Sequence, residues 1–265
     1  MKTKQSVIET RRKKIHQLLM KNGVVWVNAL AQEMGASPLT IRRDLEYFDS
    51  IGTVERFYGG ATLVQPGGND GENIFSSNLI FHKHAIAQRA AGFVEDGDTI
   101  FINTSSTALL LLKYITARQV TVITNNAKAI FSEKKDDMIV CLTGGEMRMP
   151  KEAMVGDFAI NNLNRVTATK CFLGCNGLSA AEGITTAVLQ EAAINELMIR
   201  RVVGPRVILA DNLKIGRTNS FTYGSVQDIS YLITDSEVAP KALAQIVAVN
   251  PSIHVMQVEP LKLID

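Results

Sequence analysis

Cysteine is scarce in this chain. Three are present, Cys141, Cys171 and Cys175, too few for a disulfide framework and suited to a reducing compartment. Long apolar runs are missing as well. Lys, Asn or Gly interrupts each candidate before it reaches the roughly 20 residues that cross a bilayer, so no membrane partner is expected. The opening stretch MKTKQSVIETRRKK is basic but has no apolar core behind it, which argues against a signal peptide and for a cytoplasmic protein. An excess of charge of either sign is also missing, since 28 Lys/Arg and 26 Asp/Glu leave a net of only +2. What is abundant is hydrophobic residues, 46% of 265. That is enough for one large domain or for a small one plus a medium one. The small net charge is unevenly spread: residues 1–60 carry ten Lys/Arg and six Asp/Glu, net +4, and the remainder is net −2. A basic head on a slightly acidic body suits nucleic-acid binding by the head alone.

The stretch Ser37–Ala61, SPLTIRRDLEYFDSIGTVERFYGGA, explains that asymmetry. Ser37 is a good N-cap and Pro38 suits the first helical position. Ile41, Leu45 and Phe48 recur at i, i+4 and i+7, giving one apolar face. Thr40, Arg42, Arg43 and Glu46 then point away from it. Gly52 is expected to end the helix. The run from Thr53 to Tyr58 reads as a hairpin strand closed by Gly59-Gly60. Ahead of this, Val7–Lys21 reads as a helix with Ile8, Ile15, Leu18 and Leu19 inward and a stop at Asn22-Gly23. Val24-Val25-Trp26 reads as a short strand with Trp26 packed inward, and Val27–Met34 as a second helix. Three helices and a hairpin make a small α+β winged helix-turn-helix over residues 1–64. In such a head one helix enters the major groove of DNA and a wing residue such as Arg56 reaches the backbone or minor groove. Ser37, Thr40, Arg42, Arg43, Arg56 and Tyr58 are the candidate DNA contacts.

Residues 65–78 are rich in Gly, Asn and Ser and read as a linker. From residue 79 to 265 the pattern alternates helices with short apolar strands. Strands are expected at Thr99–Ile102, Val120–Thr124, Ile139–Thr143, near Cys171–Leu173, and at Val207–Ala210, Tyr231–Thr234 and Ile253–Val258. Ala187–Val203 is expected to be the longest helix. This is an α/β domain with a mainly parallel, Rossmann-like sheet, and ligands of such sheets sit at the carboxyl ends of the strands. The polar loop Asn103–Thr107 falls at one such end. Its hydroxyls and backbone N–H groups suit a phosphate at a helix N-terminus, and equally suit plain N-capping by Ser105 or Ser106.

The whole chain resembles the DeoR-type bacterial transcription regulators. The head carries Thr40-Ile41-Arg42-Arg43-Asp44-Leu45 and then Gly52 through Arg56 to Gly59-Gly60-Ala61. The body carries Lys83 with Ile86-Ala87, Asn103–Thr107, Thr124-Asn125-Asn126, Gly144-Gly145 with Arg148, Val155-Gly156, Phe172-Leu173-Gly174, and Asp211 with Lys214. The resemblance implies a sensor domain related in fold to ribose-phosphate isomerases, an effector that is a phosphorylated sugar or sugar derivative, operator DNA as partner, and a dimer or tetramer. It implies that Lys83 and Lys214 reach the phosphate with Ser105, Ser106 and Thr107, and that Thr124, Asn125, Gly144, Gly145 and Arg148 line the sugar end. A surface role for either lysine and a simple tight turn for the Gly pair stay open.

The alternative is an enzyme, a sugar-phosphate isomerase or deaminase with a DNA-binding head. It needs a carboxylate base, and after Gly174 the chain has Cys175-Asn176-Gly177-Leu178-Ser179, with no acid until Glu182 and then Glu191. No catalytic residue and no cofactor is therefore expected. No metal is expected either: alternate residues His82 and His84 do not share a helix face, and Cys171 with Cys175 lacks a second ligand pair. The loop that in the resembling family opens with Asp opens here with Asn103. An amide can donate where a carboxylate only accepts, so Asn103 points either to an effector with a carbonyl or carboxylate, such as a phosphorylated sugar acid or ketose, or merely to a cap of the next turn.

Overall fold

The computed structural model describes residues 4–22, 24–50, 53–57, 59–63, 76–149 and 151–261. The expectations for Gly23, Gly52 and Tyr58, and for the linker over 65–75, lie outside them. The chain divides into two compact units, Met1–Ile80 and Phe81–Asp265.

In the first unit the elements run α1 (Lys4–Asn22), β1 (Val24–Trp26), α2 (Val27–Met34), α3 (Pro38–Ser50), β2 (Val54–Phe57) and β3 (Gly60–Leu63). The strands form an antiparallel sheet in the order β1-β3-β2. Ser37 caps α3, its Oγ accepting the Thr40 N–H at 3.2 Å. Gly35 ends α2 in the left-handed region, φ 59°, where a residue without Cβ is unstrained. Ile15, Leu19, Val25, Val27, Leu30, Ile41, Leu45, Phe48 and Val54 close one core. Two expectations fail here. Ile8 is exposed, so the inward stripe of α1 is Ile15 and Leu19 with Leu18 half-buried. Trp26 is 57% exposed, because strand alternation turns its neighbour Val25 inward and Trp26 outward.

Helix α4 (Ser76–Ala91) begins before the boundary at Phe81, and in the second unit it leads to β4 (Thr99–Ile102), α5 (Ser106–Tyr114), β5 (Thr121–Thr124) and β6 (Ile139–Leu142). Then come β7 (Glu146–Arg148), β8 (Ala153–Val155), α6 (Asp157–Leu163), β9 (Lys170–Gly174), β10 (Gly177–Ser179), β11 (Gly183–Thr186) and α7 (Leu189–Arg200). The chain ends with β12 (Arg206–Leu209), β13 (Phe221–Gly224), β14 (Tyr231–Asp235), α8 (Pro240–Val249) and β15 (His254–Val258). Among the described residues seven strands form a wholly parallel sheet in the order β15-β14-β12-β9-β4-β5-β6. Successive strand residues feed opposite layers. Ile100, Ile102, Phe172, Val207 and Leu209 pack with Ile86 and Ala90 of α4 and Leu111 and Leu112 of α5. Phe101, Cys171, Leu173 and Ile208 pack with Leu163 of α6, Ile194 and Met198 of α7 and Ile246 of α8. A parallel sheet covered on both faces needs such unbroken apolar strands.

The first helix of the body starts at Ser76, inside the stretch read as linker, and its 16 residues exceed the 12 of α7. The expectation of a longest helix at Ala187–Val203 is thus corrected. The pair β7-β8 and the antiparallel trio β10-β11-β13 were not foreseen, since strands of three or four residues carry too little periodicity to read. The topology matters more than these additions. From β4 the chain first builds outward through β5 and β6, then returns to the other side of β4 with β9. The switch point, where ligand crevices open in parallel sheets, lies between β4 and β9.

Candidate functional site

The head presents a face on α3. Arg42 and Arg43 are exposed and form no ion pair with any described residue, while Asp44 beside them is 2% exposed. The Asp44 carboxylate accepts from the guanidinium groups of Arg11 and Arg12 on α1, the latter at 3.0 Å. Arg12 also lies 3.8 Å over the Tyr47 ring. Three consecutive charged residues therefore have two jobs: Asp44 fixes α3 against α1, and the two arginines point outward. Nothing local in the sequence marks Asp44 for this role, because its partners lie on α1, 33 and 32 residues away. Thr40 is half-buried, and its hydroxyl lies 2.8 Å from that of Ser37. Arg56 on β2 lies 3.2 Å from Glu46 of α3, an exposed pair worth at most about 1 kcal/mol. It costs little to exchange for a phosphate.

In the body the switch point is held by one side chain. Asn103, 2% exposed, donates from Nδ2 to the Gly174 carbonyl at 2.8 Å and to Asn195 Oδ1 at 3.2 Å. Its Oδ1 accepts from the Gly174 N–H at 3.0 Å and from the Ser105 N–H at 3.3 Å. Every hydrogen-bonding atom of the amide is engaged within the protein. This corrects the expectation that Asn103 reads the effector: it ties the end of β4 to the end of β9 and to α7. The argument from Asn103 to a sugar acid loses its footing with it. Tyr223 on β13 also donates to the Gly174 carbonyl, at 2.9 Å. Gly174 has no room for a side chain, since a Cβ would fall 1.9 Å from Ser105 Oγ.

Around that clamp the polar groups gather. Ser105 Oγ accepts from the Ala108 N–H at 3.4 Å, the cap of α5, so the N-capping role is real. Ser106 is exposed and Thr107 buried in the first helical turn, whose N–H groups lack intrahelical acceptors. Lys83 on α4 and Lys214 after β12 both lie within electrostatic reach of Asp211 and of each other. Burial holds the Lys83 ammonium below its ordinary range; Asp211 opposes that and Lys214 adds to it. Asp211 is 2% exposed, and its Oδ1 accepts from the Leu213 N–H at 3.1 Å. Both lysines and Asp211 thus gather at the carboxyl ends of the strands, with no direct ion pair among them. Burial, with Asp211 adding to it, pushes the Cys175 thiol up to about 12 against the pull of Lys214, so this thiol is no nucleophile at neutral pH. Burial likewise keeps the Tyr223 phenol protonated.

The other expected residues divide. Thr124 is wholly buried, and its Oγ1 accepts from the Asn126 N–H at 3.0 Å. Asn125 is wholly buried against Met154 of β8. Gly144 and Gly145 adopt φ 69° and 111°, and a Cβ on Gly145 would meet the Val155 carbonyl at 2.4 Å. The pair is a turn that only glycine fits. Arg148 and Lys151 approach the buried Glu191 at 3.9 and 3.4 Å. Lys151, Asn195 and Tyr223 were missed, having no local pattern to mark them. His82 and His84 do diverge: His84 bonds to the Tyr114 hydroxyl at 2.6 Å. His82 lies between Asp235 and Glu237, with Nδ1 and Nε2 at 3.2 and 3.5 Å from separate carboxylates. That grouping was not foreseen. The three residues offer ligand atoms within 4.8 Å of one another, and His82 Nδ1 has no hydrogen-bond partner among the described residues.

Comparison with known proteins follows this division. Residues 11–66 match the DeoR-like helix-turn-helix domain, and residues 80–236 match the DeoR C terminal sensor domain. A lactose phosphotransferase system repressor of Streptococcus mutans is 31% identical over 242 residues, covering 86% of this chain and 92% of its own. An HTH-type transcriptional regulator YulB of Bacillus subtilis is 31% identical over 241 residues, 89% of this chain and 92% of its own. The HTH-type transcriptional regulator GlpR of Haloferax volcanii is 30% identical over 229 residues, 85% of this chain and 89% of its own. Likeness to solved structures is weak: a D-ribose-5-phosphate isomerase in complex with phospho-erythronic acid aligns over 50% of this chain and 52% of its own, at 15% identity and TM-score 0.37.

Proposed function

The chain belongs to the DeoR family of transcriptional regulators, and from that premise we propose which residues read the operator and which bind the effector. The protein is a DNA-binding regulator of carbohydrate metabolism under the control of a sugar phosphate, not an enzyme. The finer reading is a repressor, in keeping with the relatives named as repressors. In the head α3 enters the major groove with Arg42 and Arg43, assisted by Ser37, Thr40, Arg56 and Tyr58. The observation behind this is the contrast on α3 between the buried, paired Asp44 and its two exposed arginine neighbours.

In the body the phosphate sits at the switch point, against Lys83, Lys214 and the first turn of α5 with Ser105, Ser106 and Thr107. Two lysines held near one committed carboxylate make an anion favourable there, and the helix N-terminus adds N–H donors. Arg148 and Asn125 border the sugar end. Thr124, Gly144, Gly145 and Asn103 act on the effector only by shaping the crevice. Effector binding shifts the population toward a form that binds the operator less well. The protein works as a dimer or tetramer, since one small head offers limited affinity and a symmetric pair reads two half-sites.

Titration of operator DNA across salt concentrations, read by fluorescence anisotropy, tests the head. Losing an arginine that reads a base costs about 1–3 kcal/mol on the specific site. Losing one that binds phosphate weakens all sequences alike and lowers the salt slope by about one. Arg42→Ala and Arg43→Ala are expected to fall into one class or the other. Wild-type affinity in both variants removes α3 from the interface.

A further inference from the structure

A second polar group, around β7 and β8, holds two buried acceptors without donors among the described residues. Asn125 follows β5 and is wholly buried. Its Nδ2 donates to the Met154 carbonyl on β8 at 3.2 Å, and the Met154 N–H donates back to the Asn125 carbonyl at 2.7 Å. A carbonyl accepts only, so the atom facing it must be Nδ2, and the direction of Oδ1 is fixed. Oδ1 finds no donor among the described residues. Glu191 is 3% exposed and lies in the first turn of α7, a helix that packs on the same strand β8. Its Oε2 accepts from Lys151 Nζ at 3.4 Å. Its Oε1 has Arg148 Nη1 at 3.9 Å, beyond hydrogen-bond length, and no donor among the described residues.

A buried acceptor without a donor is costly and is kept where a ligand or water supplies the hydrogen. Here two such acceptors flank one strand, one neutral and one anionic. Helix α7 joins Glu191 to the switch point: Asn195, one turn further on, accepts from Asn103 at 3.2 Å. A hydroxyl group brings the missing hydrogen. A carboxylate or a keto oxygen brings none and faces the Glu191 charge.

We propose that Asn125 and Glu191 select the effector by accepting hydrogen bonds from its hydroxyl groups, so that the site prefers phosphorylated polyols and sugars with free hydroxyls over the matching phosphorylated sugar acids. This rests on the reading that Lys83 and Lys214 hold the phosphate. The unfilled acceptors set the class of effector, and Arg148 and Lys151 lie beside the Glu191 carboxylate.

Calorimetry on the full chain tests this with matched pairs: hexitol 6-phosphate against hexonate 6-phosphate, and pentitol 5-phosphate against pentonate 5-phosphate, with inorganic phosphate as reference. The wild type is expected to bind the better alditol phosphate at least roughly tenfold more tightly than its acid, the scale of one hydrogen bond to a charged group. Glu191→Gln, which keeps the shape but gives up the charge and turns one acceptor into a donor, is expected to narrow that ratio by a similar factor. Inorganic phosphate binding should stay unchanged and should still require Lys214. Equal or tighter binding of the acids by the wild type overturns the inference and shows that Arg148 and Lys151 dominate this group. So does a ratio that Glu191→Gln and Asn125→Ala both leave intact. Those results leave the phosphate reading standing as long as Lys214→Ala abolishes inorganic phosphate binding. Inorganic phosphate binding that ignores Lys214 overturns both.

Discussion

Strands β4 and β9 lie side by side, yet their two ends are finished in opposite ways. At the amino ends the charges close on themselves. Lys170 Nζ lies 2.6 Å from Asp98 Oδ2 and 2.8 Å from Glu95 Oε2. The Thr169 hydroxyl donates to Asp98 Oδ1 at 2.7 Å, and the Glu95 N–H donates to Asp98 Oδ2 at 2.8 Å. At the carboxyl ends Lys83 and Lys214 lie near Asp211 without an ion pair to it, and Asp211 Oδ1 already accepts from a backbone N–H. One end stores fold stability in satisfied pairs. The other leaves its two lysines without a direct ion pair, which on the reading proposed above keeps them for the phosphate. The same strand pairing supports both, so removing a charge should have opposite consequences at the two ends.

The largest expected effect is at the closed end. Asp98→Ala leaves the Lys170 ammonium, 12% exposed, with only the exposed Glu95 as partner. Breaking a buried pair from one side costs about 3–5 kcal/mol, measurable by chemical denaturation. Lys170→Met is expected to cost less, about 1–3 kcal/mol, because Asp98 keeps the Thr169 hydroxyl and the Glu95 N–H. Burial pushes the Asp98 carboxyl upward, but the hydrogen bonds from Lys170, the Glu95 N–H and Thr169 outweigh it and hold it below 3.8. A lowered carboxylate stabilises the fold fully above its unfolded value, and that stability is lost as pH falls through the folded one. The wild type should therefore lose stability in acid below about pH 4, and Asp98→Asn should remove this component of the pH dependence.

The smallest stability effect is expected at the open end. Burial disfavours the Lys83 charge, so the unfolded chain holds that proton more tightly, and wild-type stability rises with pH between the lowered folded value and 10.5. Lys83→Met should leave the melting temperature of the ligand-free protein unchanged or slightly higher, lose that pH dependence, and weaken phosphate binding. A marked loss of stability would make Lys83 a structural residue like Lys170 and erase the contrast.

How much of this was written in the sequence depends on how local the cause is. The cap at Ser37, the apolar face Ile41-Leu45-Phe48 and the outward Arg42 and Arg43 follow from spacing along one helix, and all appear. The seven parallel strands follow from short apolar runs set between helices. Asp44 buried under Arg11 and Arg12 does not, because its partners are 33 and 32 residues away. Asn103 reads as a ligand group until its partners, Gly174 and Asn195, are brought to it from 71 and 92 residues away. Trp26 reads as core by composition and is outward by strand alternation. Lys83 and Lys214 could be paired in advance only through family resemblance, since 131 residues of chain separate them.

The central claim is that a phosphorylated effector at the open end controls the head. Operator affinity measured by anisotropy, as a function of sugar-phosphate concentration, tests it in wild type and Lys214→Ala. The variant should bind operator as the wild type does without effector, and should need at least roughly tenfold more effector for the same change, the equivalent of one charge-assisted hydrogen bond. A Lys214→Ala protein that binds operator normally and still responds at the wild-type concentration would place the phosphate elsewhere and contradict the account.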